Sequence, residues 1–217
     1  MSDIFDFKKK YRDLYLPPRN PAIIDVPEIV CIAVSGKGDP NTSEAYKNAL
    51  EVLYGFSYAI KMSKLSGNTP DGYFDFVVPP LEGFWSLDDG GFDYDGLKIT
   101  DKKKFVWTSF LRQPAFVTQD VFEQARETLL KKKHSVDFTS ASLLTFTEGL
   151  CVQIMHTGPY DTEAADIRLM DAFAVENGCV PDFSEERRHH EIYIGDPRKT
   201  APEKLRTVIR HPVRKSA

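Results

Sequence analysis

The sequence predicts an α+β fold: duplicated strand–helix–strand–strand units with joined antiparallel sheets, helices on one face and a concave ligand cleft on the other. Three observations carry that expectation. Short β-branched runs alternate with amphipathic stretches, the pattern of strands followed by helices. The order strand, helix, strand, strand occurs twice, over 29–34, 43–61, 73–78 and 105–112, then over 149–157, 162–177, 189–194 and 205–213. Finally, 217 residues with 41% hydrophobic content can bury a large core without disulfides or metal.

Prolines at 17, 18, 21 and 27 rule out a long helix in residues 1–28 and predict an extended arm. "EIVCIAV" (28–34) is a continuous apolar run of buried-strand length, ended by the turn chemistry of "SGKGDPN". Asn41 and Glu44 have the spacing of a capping box, and Tyr46, Ala49, Leu50, Leu53 and Tyr54 then recur at helical spacing. "YFDFVV" (73–78) reads as a strand, and 80–104, with glycines at 83, 90, 91 and 96, as a long loop, functional or disordered, holding at most a short hairpin. "KFVWTSFLR" (104–112) is a strand, and 118–134 is an amphipathic linking helix with Phe122, Ala125 and Leu129 on one side. "GLCVQIMHT" (149–157) opens the second half, followed by the turn "GPYD". A helix comes next, with Ile167, Met170, Phe173 and Ala174 on one stripe and Gly178 as its stop. "HHEIYIGD" and "KLRTVIRHPV" close the chain as strands. The expectation is a single domain over 1–217: arm 1–28, first repeat 29–112, linking helix 118–134, second repeat 149–213.

A net charge of -4 argues against nucleic acid as a direct partner and against an anionic membrane. No apolar run approaches a membrane span, and the first residues are charged rather than apolar. Cys31, Cys151 and Cys179 form no CxxC pair and fit buried reduced thiols, so the expected location is cytoplasmic. No cofactor and no metal are expected. "GKGDPN" lacks phosphate-loop spacing, and the adjacent His189 and His190 face opposite ways on a strand. Cys151 and His156 likewise point to opposite faces and make no nucleophile–base couple.

Strand alternation assigns the faces. Ile192 and Ile194 go to the helix-packed side, which leaves His189, Glu191 and Tyr193 on the cleft side. Leu150, Val152 and Ile154 read as core, with Cys151, Gln153 and Met155 opposite; alternation leaves the side of Trp107 open. On spacing alone Glu191 is either an edge-strand charge or a pocket acid. By the same measure Glu82 is a solvated loop charge, and the tryptophans are core residues.

"CVQIMHTGPYDTE" and "HHEIYIGDPRKTAPEKLRTVIRHPV" resemble the GyrI-like small-molecule-binding superfamily, which includes gyrase inhibitory proteins and effector domains of multidrug-sensing regulators. "FDFKKKYRDLYLPP", "PAIIDVPE", "GKGDPN" and "VVPPLEGFW" resemble one free-standing branch, some of whose members hydrolyse strained cyclopropanoid electrophiles. The resemblance implies a lipophilic aromatic small molecule as partner. It also implies Glu191 and Glu82 as catalytic groups, with Trp85, Trp107 and Tyr160 as cavity walls; alternation adds Tyr193, Met155 and His189 as ligand-binding residues on the cleft side. Ser86 departs from the branch, where a second aromatic after Trp85 is expected.

The chemistry supports two readings. Opening a strained ring with water needs a base for the water and an acid for the departing atom, and two carboxyls facing one cavity divide those roles. A carboxylate among aromatics also holds a lipophilic cation with no chemistry, which would make the protein a drug-binding or sequestering module. The first reading makes the chain a detoxifying hydrolase.

Overall fold

The computed structural model describes residues 4–65, 67, 69–88, 92–93 and 98–216. Two short helices, α1 (Phe7–Lys10) and α2 (Arg12–Tyr15), form the arm. Then come β1 (Ala22–Lys37), α3 (Glu44–Met62) and β2 (Leu81–Leu87). Next are the short pair β3 (Phe92–Asp93) and β4 (Lys98–Ile99), β5 (Phe105–Arg112) and α4 (Gln119–Lys132). The remainder is β6 (Ser142–Thr157), α5 (Ala164–Glu176), β7 (Cys179–Pro181), β8 (His189–Tyr193) and β9 (Arg206–Lys215).

The main sheet runs β6-β1-β5-β2-β8-β9, and β9 returns to β6, so an antiparallel barrel closes. Closure gives every strand a second buried face, because alternate side chains point into the barrel and out under the helices. Outside, α3 buries Ala49, Leu53 and Phe56 in one cluster with Ile32, Val34 and Leu111 of β1 and β5. Met170 and Ala174 of α5 cover Val152, Ile154 and Ile209 of β6 and β9. Inside, Ile29, Phe84, Phe110 and Phe146 pack together.

Beside these apolar residues, the interior holds a buried cluster of polar and charged side chains. Arg210 donates from Nη1 to Glu148 Oε2 (3.0 Å) and from Nη2 to Gln153 Oε1 (2.9 Å). His190 Nδ1 lies 3.1 Å from both Glu148 oxygens, and its Nε2 is 3.2 Å from Glu82 Oε2. The arm closes one mouth of the barrel onto this cluster. Tyr15 donates its hydroxyl to Glu82 Oε1 (2.8 Å), and Arg210 and Gln153 donate to the Leu14 and Asp13 carbonyls (2.9 and 2.6 Å). The Arg112 guanidinium lies 4.2 Å from the Tyr11 ring centre, a cation–π contact that fixes the arm from below.

Several expectations are corrected. Residues 73–78 form no strand; Phe76 makes one isolated bridge to Phe5. The strand is Leu81–Leu87, placed by sequence in the loop 80–104, part of which lies outside the described residues. Residues 22–28 belong to β1 rather than to the arm, and Ser43, not Asn41, caps α3 by accepting from the Tyr46 N–H. Among the described residues no helix is long and apolar enough to cross a membrane.

Removing one member of a buried ion pair strands its partner, so Arg210→Met should destabilise the fold by about 3–5 kcal/mol in urea unfolding. The pH dependence follows from two shifts. Burial disfavours the Glu148 carboxylate, but His190 and Arg210 outweigh it and bring it down to about 2. Its contribution is therefore complete above the ordinary 4.5 and is lost as pH falls through about 2. Burial alone would lower His190, yet Glu148 and Glu82 raise it above 6.5, so its contribution is complete below 6.5 and lost as pH climbs through the raised value. The cluster should stabilise most between 4.5 and 6.5, and His190→Gln should abolish the alkaline decline in unfolding midpoints.

Candidate active site

An open cleft of about 2640 Å³ runs over the outside of β2 and β8, between α3 and α5. It exceeds the roughly 300–1,000 Å³ of an ordinary small-molecule pocket, so it has room for a bulky ligand. Its floor is Trp85, Glu191, Tyr193 and His189; its walls are Tyr46 and Tyr54 from α3, with Tyr160 and Glu163 from the start of α5. The cleft thus lies on the helix side of the sheet, not the opposite side. Ile192, expected on the helix side, faces the barrel interior opposite Val208, and Glu191 faces out.

Trp85 is 7% exposed, and its indole lies flat over Gly83, where a Cβ would sit 2.8 Å from Nε1. Its neighbours are Tyr46 and Phe105, at 5.9 and 5.1 Å between ring centres. Tyr160 meets Tyr193 edge-on at 5.7 Å. Tyr160 is aimed by the turn that precedes it, where Gly158 adopts φ +141 and His156 bridges Asp166 (2.7 Å) and the Pro159 carbonyl (3.1 Å).

Three expected site residues stay out of the cleft. Glu82 lies inside the barrel, 2% exposed and held by Tyr15 beside His190, so it does not meet Glu191. Met155 also faces the interior, opposite Val208. Trp107 sits behind the wall rather than on it: 1% exposed, edge-on to Tyr46 at 5.0 Å, its ring lying over Gly36. Trp85, Tyr160, Tyr193, His189 and Glu191 do share the cleft.

The partner that the sequence reading missed is Glu163. One ligand-type atom each from Glu163, His189 and Glu191 lies within 4.8 Å of the others. Both Glu191 oxygens are taken: His189 Nε2 is 2.9 Å from Oε1, and the Tyr193 hydroxyl donates to Oε2 at 2.7 Å. His189 and Tyr193 are thus both hydrogen-bonded to Glu191, with Glu163 beside them. Glu163 Oε1 is buried and unpartnered.

The two carboxyls ionise oppositely. Burial penalises Glu191, but the His189 hydrogen bond and charge, the Tyr193 hydrogen bond and the His190 charge hold it below the usual range. Burial and the neighbouring Glu191, Asp166 and Asp161 push Glu163 well above that range. Burial and the Glu191 charge also raise Tyr46 and Tyr160 to about 12, so both remain hydroxyl donors. The site therefore offers one base, one acid and phenolic donors on aromatic walls.

Comparison with known proteins agrees with this architecture. Residues 118–214 match a family described as the GyrI-like small molecule binding domain. A solved structure of a hydrolase from Listeria innocua is 45% identical with a TM-score of 0.88, covering 97% of this chain and 100% of that one. An uncharacterized conserved protein from Listeria innocua is 47% identical with a TM-score of 0.89, over 97% and 100% of the two chains. No curated protein matches.

The two tryptophan–glycine contacts predict different phenotypes. Gly83→Ala should displace the Trp85 indole and weaken binding of any dye that stacks in the cleft, with a smaller fall in melting temperature than Gly36→Ala. Gly36→Ala puts a Cβ 2.4 Å from the buried Trp107 ring and should lower stability by overpacking. The expected loss is about 1–3 kcal/mol. Dye titration and thermal melts on both variants check this.

Proposed function

This chain belongs to the GyrI-like small-molecule-binding family, and we propose that its cleft takes a bulky aromatic electrophile and adds water to it. The carrying observation is that Glu163 and Glu191 share one aromatic cleft with opposite ionisation. The relative named as a hydrolase, at 45% identity over nearly the whole chain, supports the reaction class. The order β1, α3, β2, β5 followed by β6, α5, β8, β9 supports reading the halves as a duplicated unit, with the cleft between its two helices.

The fitting substrate is a strained ring conjugated to a carbonyl, as in a cyclopropanoid alkylating agent. Its planar part stacks on Trp85 and Tyr193, which holds the ring carbon for attack. Ionised Glu191 removes a proton from water as the water oxygen bonds to that carbon. The ring C–C bond breaks, and its electrons flow into the conjugated carbonyl to leave an enolate or phenolate. Neutral Glu163 supplies the proton that the new oxyanion or carbon takes up, with the tyrosine hydroxyls as donors to the developing charge. Water ends up added across the broken bond, and the electrophile is disarmed. Glu82 keeps a different role, tying the arm to His190 inside the barrel.

One observation favours a second reading. Glu191 is ionised between aromatic walls, an arrangement that also holds a lipophilic cation without chemistry.

Incubation with a cyclopropanoid electrophile, followed by mass spectrometry, separates the two. Ring-opened product gaining one water is expected, with Glu191→Gln and Glu163→Gln each slower by roughly 10²–10⁴-fold. Glu191 works ionised and is lowered, so the rate should fall as pH drops below 4.5. Glu163 works protonated and is raised, so the rate should fall again as pH rises through its value above 4.5. The limbs belong to the pair jointly. Tight binding of a cationic dye with no product from any electrophile would favour the second reading.

A further inference from the structure

A line of contacts leads from Glu191 out of the cleft. His189 Nε2 is 2.9 Å from Glu191 Oε1, His189 Nδ1 is 2.8 Å from His211 Nε2, and His211 Nδ1 is 3.0 Å from Asp171 Oδ1. The far end is wet, since the Asp171 side chain is 44% exposed while that of His211 is 8% exposed. Phe183 packs edge-on against the His211 ring at 4.9 Å and pins it.

Hydrogen counting fixes the charge of this line. Three contacts need three hydrogens, and ionised carboxylates supply none. Two neutral imidazoles carry only two N–H hydrogens between them. With Glu191 and Asp171 ionised, the ring pair must therefore hold a third and carry one positive charge. A neutral pair would leave a bare ring nitrogen facing another lone pair at one of the contacts.

We propose that Asp171 and His211 are positioning residues: they hold the His189 ring as an imidazolium with its Nε2 hydrogen on Glu191, and so keep Glu191 a base at neutral pH. This rests on the acid–base reading of the cleft and assigns regulation of its base. Burial and the charge of His189 hold His211 below the usual histidine range, which puts the charge on the ring next to Glu191. Asp171 lies on α5, eight residues after Glu163 at its N-cap, so one segment supplies both the acid and the anchor of the base. The other ionisable groups around the line are Glu163 at the N-cap of α5, Tyr46 on α3, Tyr160 in the turn before α5, and Tyr193 and buried His190 on β8. The tyrosines stay neutral, and Glu163 is held protonated by the same burial.

Asp171→Asn is the discriminating substitution. Its amide can donate to His211 Nδ1, whose Nε2 hydrogen then goes to His189, so all three contacts survive with a neutral pair. Loss of the adjacent charge should raise the Glu191 titration, read by carboxyl ¹³C NMR, by about 1–3 pH units, the usual effect of one near opposite charge. The acid limb of turnover should move up with it. Ring ¹⁵N NMR at pH 7 should count three hydrogens on the pair in the wild type and two in Asp171→Asn. Phe183→Ala, which loosens the packing and keeps the contacts, should leave the acid limb in place. Two ring hydrogens in the wild type, or an unmoved Glu191 titration in Asp171→Asn, overturns the proposal. Three ring hydrogens with no turnover of any electrophile upholds the charged pair and counts against the hydrolase reading.

Discussion

The exterior of this barrel is governed by a charge cluster inside it. His190 is fully buried between Glu148 and Glu82, and Arg210 closes the set from β9. Side chains alternate along a strand, so holding His190 inward sends His189, Glu191 and Tyr193 outward together. A one-residue slip of β8 would push Glu191 in among Phe84 and Phe110 and strip His190 of its partners. Buried ion pairs of this kind are weak sources of net stability, since desolvation offsets the attraction. What the cluster supplies is register, and register is what the site needs. The arm adds to it, because Leu14 and Tyr15 satisfy donor and acceptor sites that strands alone leave open.

Environment, rather than residue type, divides the labour in the cleft. Glu163 and Glu191 are the same side chain, both removed from water, and burial opposes ionisation in each. Glu191 has a histidine and a tyrosine donating to its two oxygens; Glu163 has an oxygen with no partner and three acidic neighbours. One becomes the anion and the other the neutral acid. Ionised Glu191 in turn raises Glu163, so each stabilises the state that its partner requires.

The strand and helix periods were legible in the sequence wherever one face was apolar, as in 149–157, 162–177 and 205–213. Leu81–Leu87 was not, because it alternates an interior carboxylate with a glycine that exists to lie under Trp85. Glu82 and Gly83 both argue against a strand on local preference, and only tertiary partners overrule them. The face assignment of β8 failed for a different reason. Alternation separates two sets of residues without saying which is inside, and a closed barrel takes Ile192 into its interior as readily as a helix would cover it. Glu163 did leave a trace: it stands four, seven and eleven residues before Ile167, Met170 and Ala174, on the buried stripe extended back by one turn. A carboxylate on such a stripe is the signal of a buried acid.

The two halves of the chain contribute different things to the cleft. Glu163, Asp171, His189, Glu191, Tyr193 and His211 all come from the second half, within the span that matches the small-molecule-binding family. Trp85 of the floor and Tyr46 and Tyr54 of the wall come from the first half. Ionisation is thus set by contacts among α5, β8 and β9, whose mutual spacing is fixed by Met170 and Ala174 against Ile154 and Ile209. The aromatic wall rests on separate packing, with Tyr46 against Trp107 and the α3 stripe on β1 and β5. Substitutions in the wall can therefore change which small molecule fits while the charges stay as they are. Ser86 follows Trp85 on β2 and lines the same cleft, away from the Glu163–Glu191 pair.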